Sequence, residues 1–318
     1  WGSSDEKMQN ADVRNLQVVD RLSVALLKEE KENAGSVENT EKISVIIPSK
    51  DHAQILEQCL KSLYRFDEDD VKTETEIIVV DNGSCEEEQR KLELLSAQYD
   101  FQYLYRPMDF NFSVMCNLGA EVATGKYLLF LNDDIEALES GWLQKMKALA
   151  EKPHVGAVGA KLYYADNTIQ HAGIVIGLGA HHAAGHTHHL LPKENLGYMG
   201  RLCYAQDVTA VTGACLLVRK SLYEQVGGLD ESFTVALNDV DFCLRLRALG
   251  LLNIFTPFAE LYHYESKSRG LDKDGASAER YNKEVAHFRE RWKKELDAGD
   301  PYFNPNFSLE HATYELKV

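Results

Sequence analysis

The 318-residue sequence has no apolar run near the ~18–20 residues that a membrane-spanning helix needs. It has no C-x-x-C pair among its six cysteines, Cys59, Cys85, Cys116, Cys203, Cys215 and Cys243. Several of these sit in apolar runs such as "GACLLV", so they read as reduced core thiols of a cytoplasmic protein rather than a disulfide framework. Positive charge is also scarce: 34 Lys and Arg face 50 Asp and Glu, a formal net charge of −16. That deficit argues against a nucleic-acid partner, whose phosphates are held by Lys and Arg, and against adhesion to an anionic membrane surface. An anionic substrate would have to be held by local cations or a metal. No internal repeat or low-complexity block appears. The opening "WGSSDEKMQN" has neither a signal-peptide layout nor an initiator Met, and the natural protein is expected to be longer.

What is present is a core. Hydrophobic residues make up 44 % of the chain, enough for one large domain or two small ones. Residues 1–41 read as an arm, with an amphipathic helical stripe (Val13, Leu16, Val19, Leu22, Leu26) before the linker-like "ENAGSVENT". Packed and disordered arms are both open. From residue 43 the pattern changes. The runs "ISVII", "EIIVV", "FQYLY" and "KYLLFL" alternate with the helical patterns "AQILEQCLKSLY", "EEEQRKLELLSAQY" and "SVMCNLGAEVA". Continuous apolar strands separated by helices predict a parallel sheet covered on both faces. Right-handed crossovers then bring the C-terminal strand ends to one edge, where ligands of such sheets bind.

Polar groups follow each of these strands: Pro48-Ser49-Lys50-Asp51, Asp81-Asn82-Gly83-Ser84, Arg106, and Asn132-Asp133-Asp134. Any one alone reads as a turn or cap, and "DNGS" is a good turn. Together on one edge they point to a nucleotide site. The second half mixes strands near 155–160 and 172–178, a buried run "VTGACLLVRK", a strand "NIFTPFAELYHYES" and a charged helix "SAERYNKEVAHFRERWKKEL". Read alone, Asp239 and Asp241 are acidic residues in the first turn of a helix starting near Asn238. By the same reading His263 is a strand-end residue and Arg269 a surface cation. Five histidines lie between His181 and His189. They admit a zinc-hydrolase reading, although no Glu or Cys stands at ligand spacing; the competing reading is a mobile loop over the ligand edge.

Six stretches in order, "ISVIIPSKD", "EIIVVDNGS", "FNFSVMCNLGA", "GKYLLFLNDD", "GGLDESFTVALNDVDFCLRLRALG" and "LYHYESKSRG", carry a resemblance. From about residue 43 to about 305 the chain resembles the family 2 inverting glycosyltransferases with the GT-A fold. "HAGIVIGLG", "SRG" and "DPYFNPNFS" resemble its bacterial branch, which builds rhamnose-containing and O-antigen-type polysaccharides. The resemblance implies an α/β GT-A fold: a Rossmann-like, mostly parallel central sheet flanked by helices. Residues 42–136 would bind the nucleotide sugar, 137–305 would form an acceptor-side catalytic half, and 306–318 would be a C-terminal tail. It implies metal-dependent inverting transfer from a UDP- or dTDP-sugar, dTDP-rhamnose among them, to a saccharide or lipid-linked saccharide. The place implied is the cytoplasm, at the inner face of the membrane through the acceptor or a partner.

Residue by residue, Asn132-Asp133-Asp134 falls on the family's Asp-x-Asp motif. Asp134 and His263 would hold Mn²⁺ or Mg²⁺. Ser49, Asp51, Asp81, Arg106, Asn117, Asn132, Asp133 and Arg269 would bind the donor. Among these, Asp81 would read the pyrimidine edge, Arg269 would clamp the diphosphate, and Asn117 with Gly119 would pack close to the donor. Asp239 would be the base, with Asp241 as the runner-up. Two departures stand out: Asn132 replaces the first Asp of the metal motif, and Asn238 replaces the acidic residue before the base. The first keeps open a GT-A-like scaffold without activity.

Overall fold

The computed structural model describes residues 41–264 and 275–317. The chain divides into two compact units, Trp1–Thr40 and Glu41–Val318, and every described residue belongs to the second. The N-terminal stripe and Arg269 therefore lie outside the described residues.

Strands β1 (Ile43–Ser49), β2 (Thr75–Asp81), β3 (Gln102–Tyr105) and β4 (Tyr127–Leu131) form the first half. Helices α1 (Ala53–Glu74), α2 (Glu86–Tyr99) and α3 (Phe112–Val122) connect them. All pairings among these strands are parallel, with Ser49 opposite Asp81 at the shared C-terminal edge. Every residue of β1 and β4 is buried, which explains why these strands are continuous apolar runs. Alternation sorts the side chains. Ile46 joins one hydrophobic layer with Met115 and Ala120 of α3; Val45 and Ile47 join the other with Leu56 and Leu60 of α1. Gly119 is required by this packing, since a Cβ there would overlap the Ile46 side chain.

The second half comprises β5 (Ile135–Ala137), α4 (Trp142–Ala150), β6 (Val155–Tyr163), β7 (Ile169–His171), β8 (Ile174–Ile176), β9 (Ala184–His186), β10 (Gln206–Val208) and β11 (Cys215–Arg219). It ends with α5 (Lys220–Gln225), α6 (Asn238–Ala248), β12 (Leu252–His263), α7 (Gly275–Arg291) and α8 (Lys293–Ala298). The main path of the ten-stranded sheet is β10-β12-β6-β11-β4-β1-β2-β3, with β5 on β12 and β7 on β6; β8 and β9 form a separate pair. β11 lies antiparallel between β4 and β6, and β12 is again parallel to β6. The C-terminal ends of β4, β6 and β12 thus reach the same edge as those of β1 and β2. No helix among the described residues is long and apolar enough to cross a membrane.

The expected tail from residue 306 packs with what precedes it. Phe303, Phe307 and Tyr314 form one buried cluster with Val175 and Leu178. Aromatic area of this kind supplies the burial that holds an irregular segment down.

Candidate active site

The site begins where β4 ends. Asn132 leaves the sheet with its N–H donated to Ala214 O at 3.0 Å. Asp133 and Asp134 make the turn into β5, which pairs antiparallel with β12 so that His263 stands opposite Ile135. The Tyr264 N–H donates to Asp134 O at 3.0 Å and closes the corner. This is how residues 129 positions apart in the chain come to share one corner.

Both carboxylates are enclosed, Asp133 at 6 % and Asp134 at 4 % exposure. Ser49 Oγ donates to Asp133 Oδ2 at 2.8 Å. Burial first, and then the neighbouring Asp134 charge, push the Asp133 carboxyl up to about 7, against the opposing Ser49 bond. His263 Nδ1 donates to Gln170 Oε1 at 2.6 Å. Its Nε2 accepts from Asn132 Nδ2 at 3.0 Å, because an amide nitrogen only donates. The same Nε2 lies 3.1 Å from Asp134 Oδ1, a buried oxygen with no hydrogen-bond partner.

In the Nδ1–H tautomer that these amide contacts imply, the Nε2 and Oδ1 lone pairs lie side by side. Among the described residues no group of three or more His, Cys, Asp or Glu is placed to hold a metal. Asp134 and His263 alone offer one carboxylate oxygen and one imidazole nitrogen. That donor set fits Mn²⁺, or a Mg²⁺ that takes few protein ligands and leaves the rest to phosphate and water. A cation on Nε2 would turn the Asn132 amide aside.

A third carboxylate, that of Asp239, is tied to the turn that receives Asn132. Gly213 N–H donates to Asp239 Oδ2 at 2.8 Å, while the next residue, Ala214, accepts from Asn132. Asp239 Oδ1 accepts from Val240 N–H at 2.8 Å, and burial raises its carboxyl above the ordinary range. Helix α6 opens after Leu237, whose φ of 64° makes the sharp entry. The loop before it is pinned by Glu284 of α7, which accepts from the N–H groups of Thr234, Val235 and Ala236 at 2.7, 3.0 and 3.0 Å. Asp241 is placed differently. It is fully buried, with Arg245 Nε at 2.8 Å on Oδ2, and Trp292 Nε1 at 2.9 Å and Arg291 Nε at 3.2 Å on Oδ1. Its oxygens are committed to holding α6 against the 291–292 segment.

The expected donor residues divide. Ser49, Asn132 and Asp133 meet at the site just described. Asp81 stands at the end of β2, but its carboxylate turns inward. Oδ1 accepts from Gly83 N, Ser84 N and Ser84 Oγ at 3.0, 2.8 and 2.9 Å, and Oδ2 accepts from the Tyr103 hydroxyl. Asp51, with φ 57°, latches the first loop to the second: its Oδ1 accepts from Cys85 N and its N–H donates to Ser84 Oγ, both at 2.7 Å. Arg106 is exposed and folds its guanidinium onto Tyr105 O at 2.9 Å. Asn117 has its amide bonded to Leu229, Glu231 and Tyr223. Gly119 lies over Ile46 and Val80 within the sheet. Both were expected close to the donor; the contacts the structure shows for them are helix–sheet and helix–loop packing.

The histidine-rich stretch is the β8–β9 hairpin and its continuation; His186 and His189 stay neighbours, ring centroids 6.4 Å apart, while His181 and His188 pack elsewhere. His186 Nδ1 pairs with His171 Nδ1 at 2.9 Å, and His189 Nε2 with the Tyr164 hydroxyl at 3.0 Å. His188 packs on Tyr314 and His181 on Tyr281, with ring centroids 4.8 and 5.0 Å apart. Burial holds the His171 ring well below its usual value and lowers His186 and His188 to about 4. Sequence reasoning passed over Gln170, Glu284 and Tyr103. The one available signal was Gln170, a polar residue inside the apolar pattern "TIQHAGIVI".

Residues 44–227 match the family model described as "Glycosyl transferase family 2". An uncharacterized Sinorhizobium fredii protein, y4gI, is 42 % identical over 283 residues, 88 % of this chain and 30 % of that protein. The O-antigen biosynthesis protein RfbC of Myxococcus xanthus is 35 % identical over 279 residues, 86 % of this chain and 21 % of RfbC. This chain thus spans less than a third of the length of either relative. An N-acetylglucosaminyl-diphospho-decaprenol L-rhamnosyltransferase of Mycobacterium tuberculosis is 44 % identical over 62 residues, 20 % of each chain. Two solved structures share the GT-A architecture. The mannosyltransferase PcManGT of Pyrobaculum calidifontis, in complex with GDP-Man and Mn²⁺, has a TM-score of 0.57 at 16 % identity, covering 81 % of this chain and 68 % of its own. GalNAc-T7 with UDP, GalNAc and Mn²⁺ has a TM-score of 0.64 at 14 % identity, covering 82 % and 50 %.

Proposed function

Since the chain belongs to glycosyltransferase family 2, we propose that it transfers a sugar, with inversion, from a UDP- or dTDP-sugar to a hydroxyl of a saccharide or lipid-linked saccharide, in bacterial surface-polysaccharide synthesis. The observation that carries this reading is the turn 212–214, which holds Asp239 on one residue and the Asn132-Asp133-Asp134 corner on the next. A base and a diphosphate-holding corner side by side are what in-line attack at an anomeric carbon requires.

Asp134 and His263 would hold the divalent cation, which when bound would neutralise charge on the departing diphosphate. Ser49 fixes the orientation of Asp133 behind it. Asp239 accepts the proton of the attacking hydroxyl; its raised carboxyl makes it a stronger base than an exposed Asp, and a positioned base is worth roughly 10²–10⁴ in rate. Backbone N–H bonds to both of its oxygens keep it aimed without neutralising it. Preference for a pyrimidine would rest on Asp81, whose Oδ2 exchanges the Tyr103 hydroxyl for the base N3–H. A rhamnosyl donor is supported by the similarity to the mycobacterial L-rhamnosyltransferase, and a surface-polysaccharide product by the similarity to the O-antigen biosynthesis protein RfbC. The cytoplasmic face of the membrane is where such acceptors would be met.

The test is calorimetry with UDP, dTDP, GDP and ADP, each with Mn²⁺ and with chelator, followed by donor turnover. Tighter binding of GDP overturns the pyrimidine preference; equal affinity in chelator overturns the metal. A second reading is favoured by the Asn132 amide lying on His263 Nε2: a nucleotide-sugar-binding scaffold, for which binding would occur without donor hydrolysis or transfer.

A further inference from the structure

Strand β7 carries Gln170 and His171, and all three of its residues are buried. Neighbours on a strand point to opposite faces. His171 turns to His186, and Gln170 turns to His263. Gln170 is 5 % exposed, and its Oε1 sits 2.6 Å from His263 Nδ1. An amide oxygen only accepts, so the imidazole proton is held on Nδ1.

The alternative tautomer would be damaging here. With its proton on Nε2, His263 would have no lone pair to offer there, and the N–H would stand beside Asp134 Oδ1, 3.1 Å from the nitrogen. That proton would keep a cation from sharing the two atoms. We propose that Gln170 is a positioning residue that excludes this arrangement: it fixes the Nδ1–H tautomer of His263, so that Nε2 and Asp134 Oδ1 are presented together to a divalent cation. The inference rests on the metal reading of the preceding section. A neutral amide suits the place, because Asp133 and Asp134 already bring two carboxyl groups into this corner. Partners of this kind behind a ligating His are generally worth about 10–100-fold in metal affinity.

The test uses the whole chain, Mn²⁺ alone as the probe, and no measure of turnover. Gln170→Met keeps the length of the side chain and removes the acceptor; Gln170→Glu keeps an acceptor. Free Mn²⁺ is followed by electron paramagnetic resonance during titration. The expected result is a loss of about 10–100-fold in Mn²⁺ affinity for Gln170→Met, with the native fold retained by circular dichroism, and affinity close to wild type for Gln170→Glu. In ¹⁵N-histidine spectra without metal, the resonance lost in His263→Asn should show Nδ1–H in the wild type. In Gln170→Met it should show Nε2–H. Wild-type affinity in Gln170→Met, or an Nε2–H in the wild type, overturns the role of Gln170. A wild type that binds no Mn²⁺ while carrying Nδ1–H overturns the metal reading itself, and the purpose assigned to Gln170 falls with it. Should Gln170→Met fail to fold, the wild-type spectrum and Gln170→Glu decide the matter.

Discussion

Asp239 and Asp241 lie two residues apart at the start of one helix, and their surroundings separate them. Asp239 is held by backbone N–H groups, which orient a carboxylate but carry no countercharge. Asp241 is engaged by two guanidinium groups and an indole N–H. Asp239→Asn should therefore lower turnover by at least ~10² with donor affinity and melting temperature nearly unchanged. Asp241→Asn should instead unfold the protein earlier. Breaking a buried ion pair from one side costs about 3–5 kcal/mol, and Arg291, partly in solvent, brings this case toward the lower end. Chemical denaturation of the two variants beside their turnover distinguishes the roles; an active Asp239→Asn would move the base elsewhere. The pH dependence follows the same residue. A base must be ionised, so turnover should fall as pH drops through a carboxyl value raised above the usual one. The acid limb of the rate profile should therefore lie at higher pH than an exposed Asp would give, and it should vanish in Asp239→Asn.

At the scale of elements, α3 shows how little space separates a helix from the sheet. Gly119→Ala would press a methyl group into Ile46, a type of overpacking that costs about 1–3 kcal/mol. The prediction is a lower denaturation midpoint with an unchanged slope and unchanged nucleotide affinity; a loss of affinity at full stability would return Gly119 to the donor. The parallel strands were readable because burial on both faces writes continuous apolar runs, as in Ile43–Ser49 and Tyr127–Leu131. Strand direction was not: "CLLVR" is equally apolar either way, and β11 proves antiparallel to both neighbours. The corner at Asn132-Asp133-Asp134 was readable from paired charge after a buried strand. The inward turn of Asp81 was not, because residue type records the carboxylate and not the Tyr103 hydroxyl that meets it. The placement of His181 and His188 escaped for the same reason, since their partners Tyr281 and Tyr314 lie far away in sequence.

For the whole molecule, the acidic balance of −16 makes the binding of an anionic nucleotide depend on its few local cations. Asp134→Ala should accordingly weaken nucleoside-diphosphate binding in Mn²⁺ and leave the residual binding in chelator unchanged. Calorimetry reads both, and equal loss in the two conditions would count against a cation at this corner. The C-terminal segment belongs to the same body. Removing residues 299–318 would strip Phe303, Phe307 and Tyr314 from Val175 and Leu178. Large aromatic truncations of this kind cost about 3–5 kcal/mol each when a side chain is fully buried, so the shortened chain should melt well below the intact one by calorimetry.

The pairing of β5 with β12 has a consequence in time. Asp134 leaves the ribosome 129 residues before His263, and β5 has no partner among the strands until β12 is made. At about 5–20 residues per second this interval lasts roughly 6–26 s. Throughout it, the nascent chain carries two adjacent carboxylates at the end of a strand whose closing segment has not been synthesised. The nucleotide-side strands can assemble early, but the corner at Asp134 is completed only by the last strand of the sheet. Stalled chains ending before residue 263 should therefore acquire protease resistance in β1–β4 without the Mn²⁺-dependent nucleotide binding proposed for the whole chain.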